Sequence, residues 1–407
     1  MMKKTTLTCL SCVAFSLLCV SPGAQAKRAG FSGLTALADA PDTAFWNPAG
    51  MTHLNHQLEL QLATAYTHSD FKVEESTFGG GDPDSARDIN FIPGLYYTRP
   101  LNDDWVAGFS INVPSGFGND YGRHWAGRYL SQETSLVFLS MNPSLAYRWN
   151  DLSLAGGLQV MYVDSENSVR VNNIGPRGDG RIKLEEEGIG VGYSLSALYD
   201  LTTQTRAGLS YRSEVKVDLD GTPEFRNIDD GYLLLLNSLG LLGEEIDVDF
   251  KIPQQLQFGL FHQLNDRISL TADILWIDMS EFGVTSVSAG PDHVSVRSAF
   301  KDSYLTTVGV GYQWDNLTEL SLGIGYMASP VDNDERTLYL PLDHAFILGA
   351  GVTRTLSGGD ILGINLEYID LGDAPVDQEN SILTGRVKGR YKNNYATIVD
   401  INYRFNL

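Results

Sequence analysis

Cysteine is nearly missing from this chain: the three present, Cys9, Cys12 and Cys19, all sit close to the N-terminus. They belong to a stretch with Lys3 and Lys4, an apolar run from about Leu7 to Val20, and Ala24-Gln25-Ala26, the pattern of a secretory leader with an A-x-A cleavage site. The leader is expected to span 1–26 and the exported chain to start at Lys27. That exported chain then holds no thiol, which excludes a disulfide framework and a Cys-ligated metal site. A lipid anchor on Cys19 is disfavoured, because Leu18 precedes it where Gly or Ala is needed.

Positive charge is scarce as well. The chain has 29 Lys and Arg against 50 Asp and Glu, and its net charge of −21 becomes −23 once a leader with two lysines and no acid is removed. Nucleic-acid binding is excluded on that balance. Beyond the leader no apolar run reaches the roughly 18 residues of a spanning helix, so a helical membrane protein is excluded too. The seven histidines (His53, His56, His68, His124, His262, His293 and His344) show no H-E-x-x-H or paired ligand spacing, and no G-x-S-x-G elbow occurs. No metal, no cofactor and no enzymatic activity is therefore expected. A barrel hydrolase with distant catalytic residues and a purely structural or adhesive barrel are the rival classes.

What is present is alternation, with 41 Gly and 19 Tyr. From His56 onward, period-two segments are separated by connections that alternate between very short and long, as in a bacterial outer-membrane barrel. Fourteen strands are expected, at about 56–69, 88–99, 104–114, 133–148, 152–167, 181–199, 204–219, 249–263, 267–282, 301–313, 318–329, 343–355, 360–371 and 394–406. The short turns carry Asn, Asp or Gly, as at Leu101-Asn102-Asp103, Trp149-Asn150-Asp151 and Ser357-Gly358-Gly359. In the strand at 267–282, Ile268, Leu270, Ala272, Ile274 and Trp276 alternate with Ser269, Thr271 and Asp273, giving a lipid face and a lumen face. The fold class is thus an all-β, 14-stranded antiparallel transmembrane β-barrel.

One stretch does not repeat. Residues 29–53 are rich in Ala and Gly and end in Asn47-Pro48-Ala49-Gly50-Met51, where Asn47 reads as a helix cap and Pro48 as the first helical residue. So short a helical piece must pack inside something larger. This run closing on FWNPAGM resembles the N-terminal hatch of the FadL/TodX (OMPP1) family, outer-membrane channels for long-chain fatty acids and other hydrophobic compounds. Further segments resemble the family in the same order: His124-Trp125-Ala126-Gly127-Arg128-Tyr129, Asn142-Pro143-Ser144-Leu145-Ala146-Tyr147, and stretches at 192–221, 256–282 and 329–344. The resemblance divides the chain into a leader (1–26), a lumenal hatch of short helices (27–54) and the barrel (55–407). It also implies a shortened hatch, since Ala29-Gly30-Phe31 lies only some 16 residues before Asn47.

Candidate functional residues follow from both readings. The long loop at 220–248 holds Leu233, Leu234, Leu235, Leu236, Leu239 and Leu242 between Asp229-Asp230 and Glu244-Glu245. Apolar surface in water costs about 25 cal/mol per Å², so this loop is folded onto its neighbours, a landing site for an acyl chain or aromatic molecule, or both, since a cap on its neighbours still leaves a groove. A fatty acid also brings a carboxylate, which favours Arg or Lys. Period two puts Arg206, Ser210 and Arg212 on the lumen side of the seventh strand; Arg212, Arg128 and Lys216 are the candidates, with wall salt bridges to Glu214, Asp273, Glu367 or Asp400 as the competing role. The resemblance further implies that Asn47, Pro48, Ala49 and Gly50 move as a gate, and that the third strand kinks inward at Asp104–Gly108, with Trp105 and Gly108 at a wall opening. The expected partners are a hydrophobic small molecule, outer-membrane lipid and the barrel assembly machinery, and the chain is expected to be a monomer.

Overall fold

Alternate residues of a strand face opposite sides of the sheet, and here the outward side is the apolar one. Leu62, Leu195, Ile274, Leu348 and Ile401 are 48–56 % exposed, while Ser110, Asn142, Glu367 and Asp400 are buried on the opposite side. Such an inverted distribution suits a lipid-facing wall. The computed structural model describes residues 29–407 apart from 85, 174–175, 239–245, 290–291, 297, 340–341 and 382, so the expected leader lies outside the described residues. No helix in it is long and apolar enough to cross a membrane.

The wall consists of fourteen antiparallel strands: β1 (Gln57–Ser76), β2 (Ala86–Pro100), β3 (Trp105–Asp120), β4 (Glu133–Trp149), β5 (Leu152–Val171), β6 (Gly180–Thr202), β7 (Thr205–Arg212, resumed at Val215–Gly221), β8 (Ile246–Ile252, resumed at Gln255–Asn265), β9 (Ile268–Ile277, resumed at Gly283–Ala289), β10 (Ser303–Asp315), β11 (Thr318–Met327), β12 (Ala345–Thr355), β13 (Ile361–Asp370) and β14 (Gly385–Asn406). Each pairs with the next, and β14 returns to β1 from Gln57↔Asn406 to Ser76↔Val387, which closes the barrel. Short turns are fixed by the chemistry expected of them. Asn102 Oδ1 accepts from the amides of Asp104 and Trp105, and Asn265 Oδ1 from those of Arg267 and Ile268.

Two departures from the expected strands matter. Several strands run further at the long-loop end, β14 beginning at Gly385 and β1 ending at Ser76, because the hydrogen-bonded ladder continues where the outward residues have turned polar. The seventh to ninth strands, in contrast, are interrupted at 213–214, 253–254 and 278–282. The first two interruptions reverse the alternation. Ser210 is buried before the break, and Val215, Val217 and Leu219 after it.

Residues 29–54 lie across the lumen. A 3-10 turn (Ala29–Phe31), a short helix α1 (Thr43–Trp46) and a second 3-10 turn (Pro48–His53) are mostly buried. Their backbone comes against β11 and β12 at Gly323 and Gly349, where a β-carbon would overlap Ala29 and Gly30.

Candidate functional site

Two buried carboxylates hold the start of this inner segment. Glu367 of β13 accepts from the Gly30 amide at 3.0 and 3.1 Å, and Asp273 of β9 accepts from the amides of Gly33 at 2.5 Å and Thr35 at 3.1 Å. At the other end Asn47 works in three directions: its Oδ1 accepts from Ala49 N at 3.2 Å, and its Nδ2 donates to Thr35 O at 2.7 Å and to Ala197 O of β6 at 3.2 Å. The Ala49 amide also reaches Ser196 Oγ at 3.0 Å. Pro48 opens the 3-10 turn as the sequence suggests, and Gly50 lies where a β-carbon would come within 2.7 Å of Ala38 Cβ and Thr43 Cγ2. The Asn47–Gly50 corner is therefore clamped, not hinged, in this conformation.

The third strand corrects the expected position of the kink. Trp105–Asn112 pairs without interruption to β4, and Val106–Asn112 to β2; the register shift falls at Asn112/Ser115, spanning Val113-Pro114. Proline there removes a ladder donor, which Gly108 does not. Beyond Gly94↔Asn112 no ladder pair joins β2 to β3 among the described residues, so the wall parts above that point. Phe91, 69 % exposed, stands on its lip. Gly108 has a different role: a β-carbon there would overlap Met51 Sδ, so it is the seat on which the inner segment rests. Trp105 faces outward and packs on Tyr147, with ring centroids 4.7 Å apart, as expected of an aromatic girdle at a membrane interface.

Beside this parting is an apolar pocket. Phe45 and Trp46 of α1 form its floor, and Pro114, Phe138, Met161, Val215 and Ile252 contribute walls. Arg212 projects into it. Its guanidinium carbon is 3.5 Å from the Phe45 ring centroid and 5.6 Å from that of Trp46, and it donates to Phe45 O. Among the described residues no carboxylate pairs with it. On the short-turn side of the inner segment is a second, polar cavity of about 290 Å³ lined by Asp39, Asp42, Gln313, Glu319, Asn402 and Arg404.

The other basic candidates are placed elsewhere. Arg128 ties loops together: its Nε is 2.7 Å from Asp179, and its NH1 donates to Gly79 O and Trp125 O. Burial and the Asp179 hydrogen bond raise the neighbouring Tyr129 hydroxyl above its usual range. Lys216 points away from the lumen, because the break at Ser213-Glu214 reverses the alternation; it is largely exposed and 3.6 Å from Glu214.

Sequence reasoning missed the residues that close the mouth. The Tyr121 and Tyr391 hydroxyls lie 2.7 Å apart and each 2.6 Å from Leu338 O, so one donates to that carbonyl and the other to the carbonyl or to its neighbour's oxygen, while Tyr339 donates to Leu130 O at 2.6 Å. Arg336 is buried among Ser329, Asn333, Asp343 and two carbonyls, and burial lowers its guanidinium from the usual value. Arg336 and Tyr339 lie inside the stretch at 329–344 already singled out, which was the available signal. Beside this plug a helix α2 (Asp230–Ser238) is tethered through Asp229 N to Asn173 and by Arg177 near Asp229 and Asp230. Leu233 is half-buried and Leu234 is 70 % exposed. Leu235 and Leu236 also lie in α2, and Leu239 and Leu242 fall outside the described residues.

Comparison with known proteins agrees with this architecture. The family model described as outer membrane protein transport protein (OMPP1/FadL/TodX) matches residues 11–406. The long-chain fatty acid transport protein of Escherichia coli O6:H1 is 23 % identical, over 90 % of this chain and 92 % of that one, and outer membrane protein P1 of Haemophilus influenzae is 23 % identical over 77 % and 76 %. Among solved structures, a Pseudomonas aeruginosa FadL homologue superposes with a TM-score of 0.85 at 17 % identity, covering 96 % of this chain and 99 % of its own. The Pseudomonas putida toluene transporter TodX gives 0.68 at 16 %, covering 97 % and 99 %. With the closed barrel, the inner segment across its lumen and a family match over nearly its whole length, this chain belongs to the OMPP1/FadL/TodX family of outer-membrane transporters of hydrophobic compounds.

Proposed function

We propose that this transporter is a passive channel for long-chain fatty acids. The observation that carries the choice of cargo is Arg212: a half-buried guanidinium with no carboxylate partner among the described residues, at the edge of an apolar pocket. A neutral hydrocarbon has no use for such a group, whereas a fatty acid carboxylate would supply a charge-assisted, two-pronged partner. The relatives described as long-chain fatty acid transport proteins support the same cargo. No nucleotide-binding motif is present, so movement follows the gradient.

The route runs sideways. The plug formed around Tyr121, Tyr339 and Tyr391 covers part of the mouth, and residues 29–54 cross the lumen below. Cargo would land on the exposed Leu234 of α2, sink into the pocket with its carboxylate at Arg212, and leave through the β2–β3 parting beside Pro114 once the Asn47–Gly50 corner shifts. An oily chain gains about 0.8 kcal/mol per buried CH₂, so a continuous apolar path carries it better than a water-filled pore. We read the chain as a monomer inserted by the barrel assembly machinery, without catalytic activity.

The test compares Arg212→Met and Arg212→Lys with the parent for oleate and toluene binding and for growth of a deletion strain on each. Arg212→Met is expected to weaken oleate binding about tenfold, which is about 1.4 kcal/mol, with Arg212→Lys between, and to leave toluene binding unchanged. Equal oleate binding by all three, with growth on toluene depending on the gene, would instead make this an aromatic hydrocarbon channel.

A further inference from the structure

β6 and β7 form a ladder from Thr202↔Thr205 to Ser194↔Arg212, and meet again at Glu187↔Asp220 and Glu186↔Gly221. At the lower end the Ser213 amide donates to Tyr193 O at 2.9 Å and the Tyr193 amide to Ser213 Oγ at 3.0 Å; above them 188–192 and 214–219 share no ladder pair among the described residues. The strands overlap here. With Ile189 and Val191 turned outward at 66 % and 62 % exposure, β6 presents Gly188, Gly190 and Gly192 on its inner side. A β-carbon at Gly188 would run into Asp218 O and one at Gly190 into Lys216 O; at Gly192 it would lie 2.7 Å from Ser213 Oγ and 2.8 Å from Val215 Cγ2. The upper half of β7 therefore rides on the inner face of β6, in the space that glycine leaves free. Strand edges in a lipid-facing wall are ordinarily paired throughout. Above the Tyr193–Ser213 hydrogen bonds the lap is held by contact and can part without breaking a ladder.

Both sides of the lap point to the same kind of molecule. Inward, Ser213 and Val215 line the pocket that contains Arg212. Outward, the apolar lip of Ile189, Val191 and Tyr193 stands beside Lys216 and Lys251, which face each other across β7 and β8 and share Glu214 at 3.6 and 3.8 Å. Two like charges directly opposite are unfavourable on their own, and Glu214 and Glu281 offset them. The apolar lip suits the alkyl chain of a single-chain amphiphile, and Arg212 in the pocket suits its anionic head.

We propose that the β6–β7 lap is a second lateral doorway, distinct from the β2–β3 parting, through which single-chain anionic amphiphiles exchange between the pocket and the surrounding lipid. This rests on the channel reading above. Because passage is passive, the doorway serves whichever direction the gradient sets.

The experiment uses Gly192→Cys with Val215→Cys in the exported chain, which has no other cysteine; the 2.8 Å approach is close to what a disulfide bond requires. With the disulfide closed, labelled oleate uptake is expected to fall several-fold and to recover on reduction of the same sample. Spin labels at Ile189→Cys and Lys216→Cys in detergent-purified protein are expected to gain a longer-distance population when oleate is added. Parent-like uptake through a verified closed disulfide overturns the doorway. Should the parent itself take up no oleate, the channel reading fails instead, and the spin-label distances alone decide the lap: no oleate-dependent change overturns it.

Discussion

Asn47 joins three parts of the molecule through one side-chain amide: the turn it caps, the Thr35 carbonyl and the β6 wall. Removing a cap of this kind costs about 1 kcal/mol, and here it also leaves the Thr35 carbonyl without that donor. Asn47→Ala is therefore expected to loosen residues 29–54 while the barrel persists. Deuterium exchange in that segment should accelerate with no change in the migration of the folded barrel on a gel; exchange equal to the parent would mean that the carboxylates of Asp273 and Glu367 hold the segment alone. Gly108→Val should act through the same seat by displacing Met51, and show the same exchange signature. The cap was legible in the sequence because capping chemistry is local. Arg212 was legible as a lumen residue because the alternation is unbroken from Arg206. Lys216 was not, since two irregular residues at 213–214 are enough to turn every later side chain to the other face, and the seat under Met51 joins positions far apart in the chain.

Elements were read more securely than their irregularities. Fourteen strands and their tight turns follow from period two and from Asn, Asp and Gly at the turns, and they are what the structure contains. Strand ends at the outer rim were misjudged because the alternation of hydrophobicity stops where the lipid does, whereas backbone pairing continues. The bend of β3 falls at Pro114, which lacks the donor, and not at the expected Gly108. The plug was out of reach for another reason. Tyr121 and Leu338 come from two separate loops and Tyr391 from the outer end of β14, and nothing in any one of these segments indicates the other two. For α2, Leu234→Ser is expected to weaken oleate capture several-fold at low concentration and leave folding intact, because that side chain is mostly in water already. If instead the variant no longer reaches the membrane, the helix serves folding and not capture.

At the scale of the molecule, β1 pairs with β14 along most of its length, so the sheet closes on itself, with free edges only at the β2–β3 parting and the β6–β7 lap among the described residues, and unfolding must open a ring. The detergent-solubilised protein is expected to migrate faster before boiling than after, with a far-ultraviolet spectrum dominated by strand; a helical spectrum with no shift on boiling would contradict the fold. An inner segment across the lumen and a plug over part of the mouth have one further consequence. A molecule that enters beside the plug and leaves through the side wall must turn a corner inside the protein, so its ability to bend matters as much as its oiliness. Saturated and unsaturated alkyl chains fold around such a corner, whereas a fused-ring molecule of the same carbon number is a stiff rod. The barrel would thus sort its cargo by flexibility, admitting an eighteen-carbon chain more readily than a sterol of similar mass.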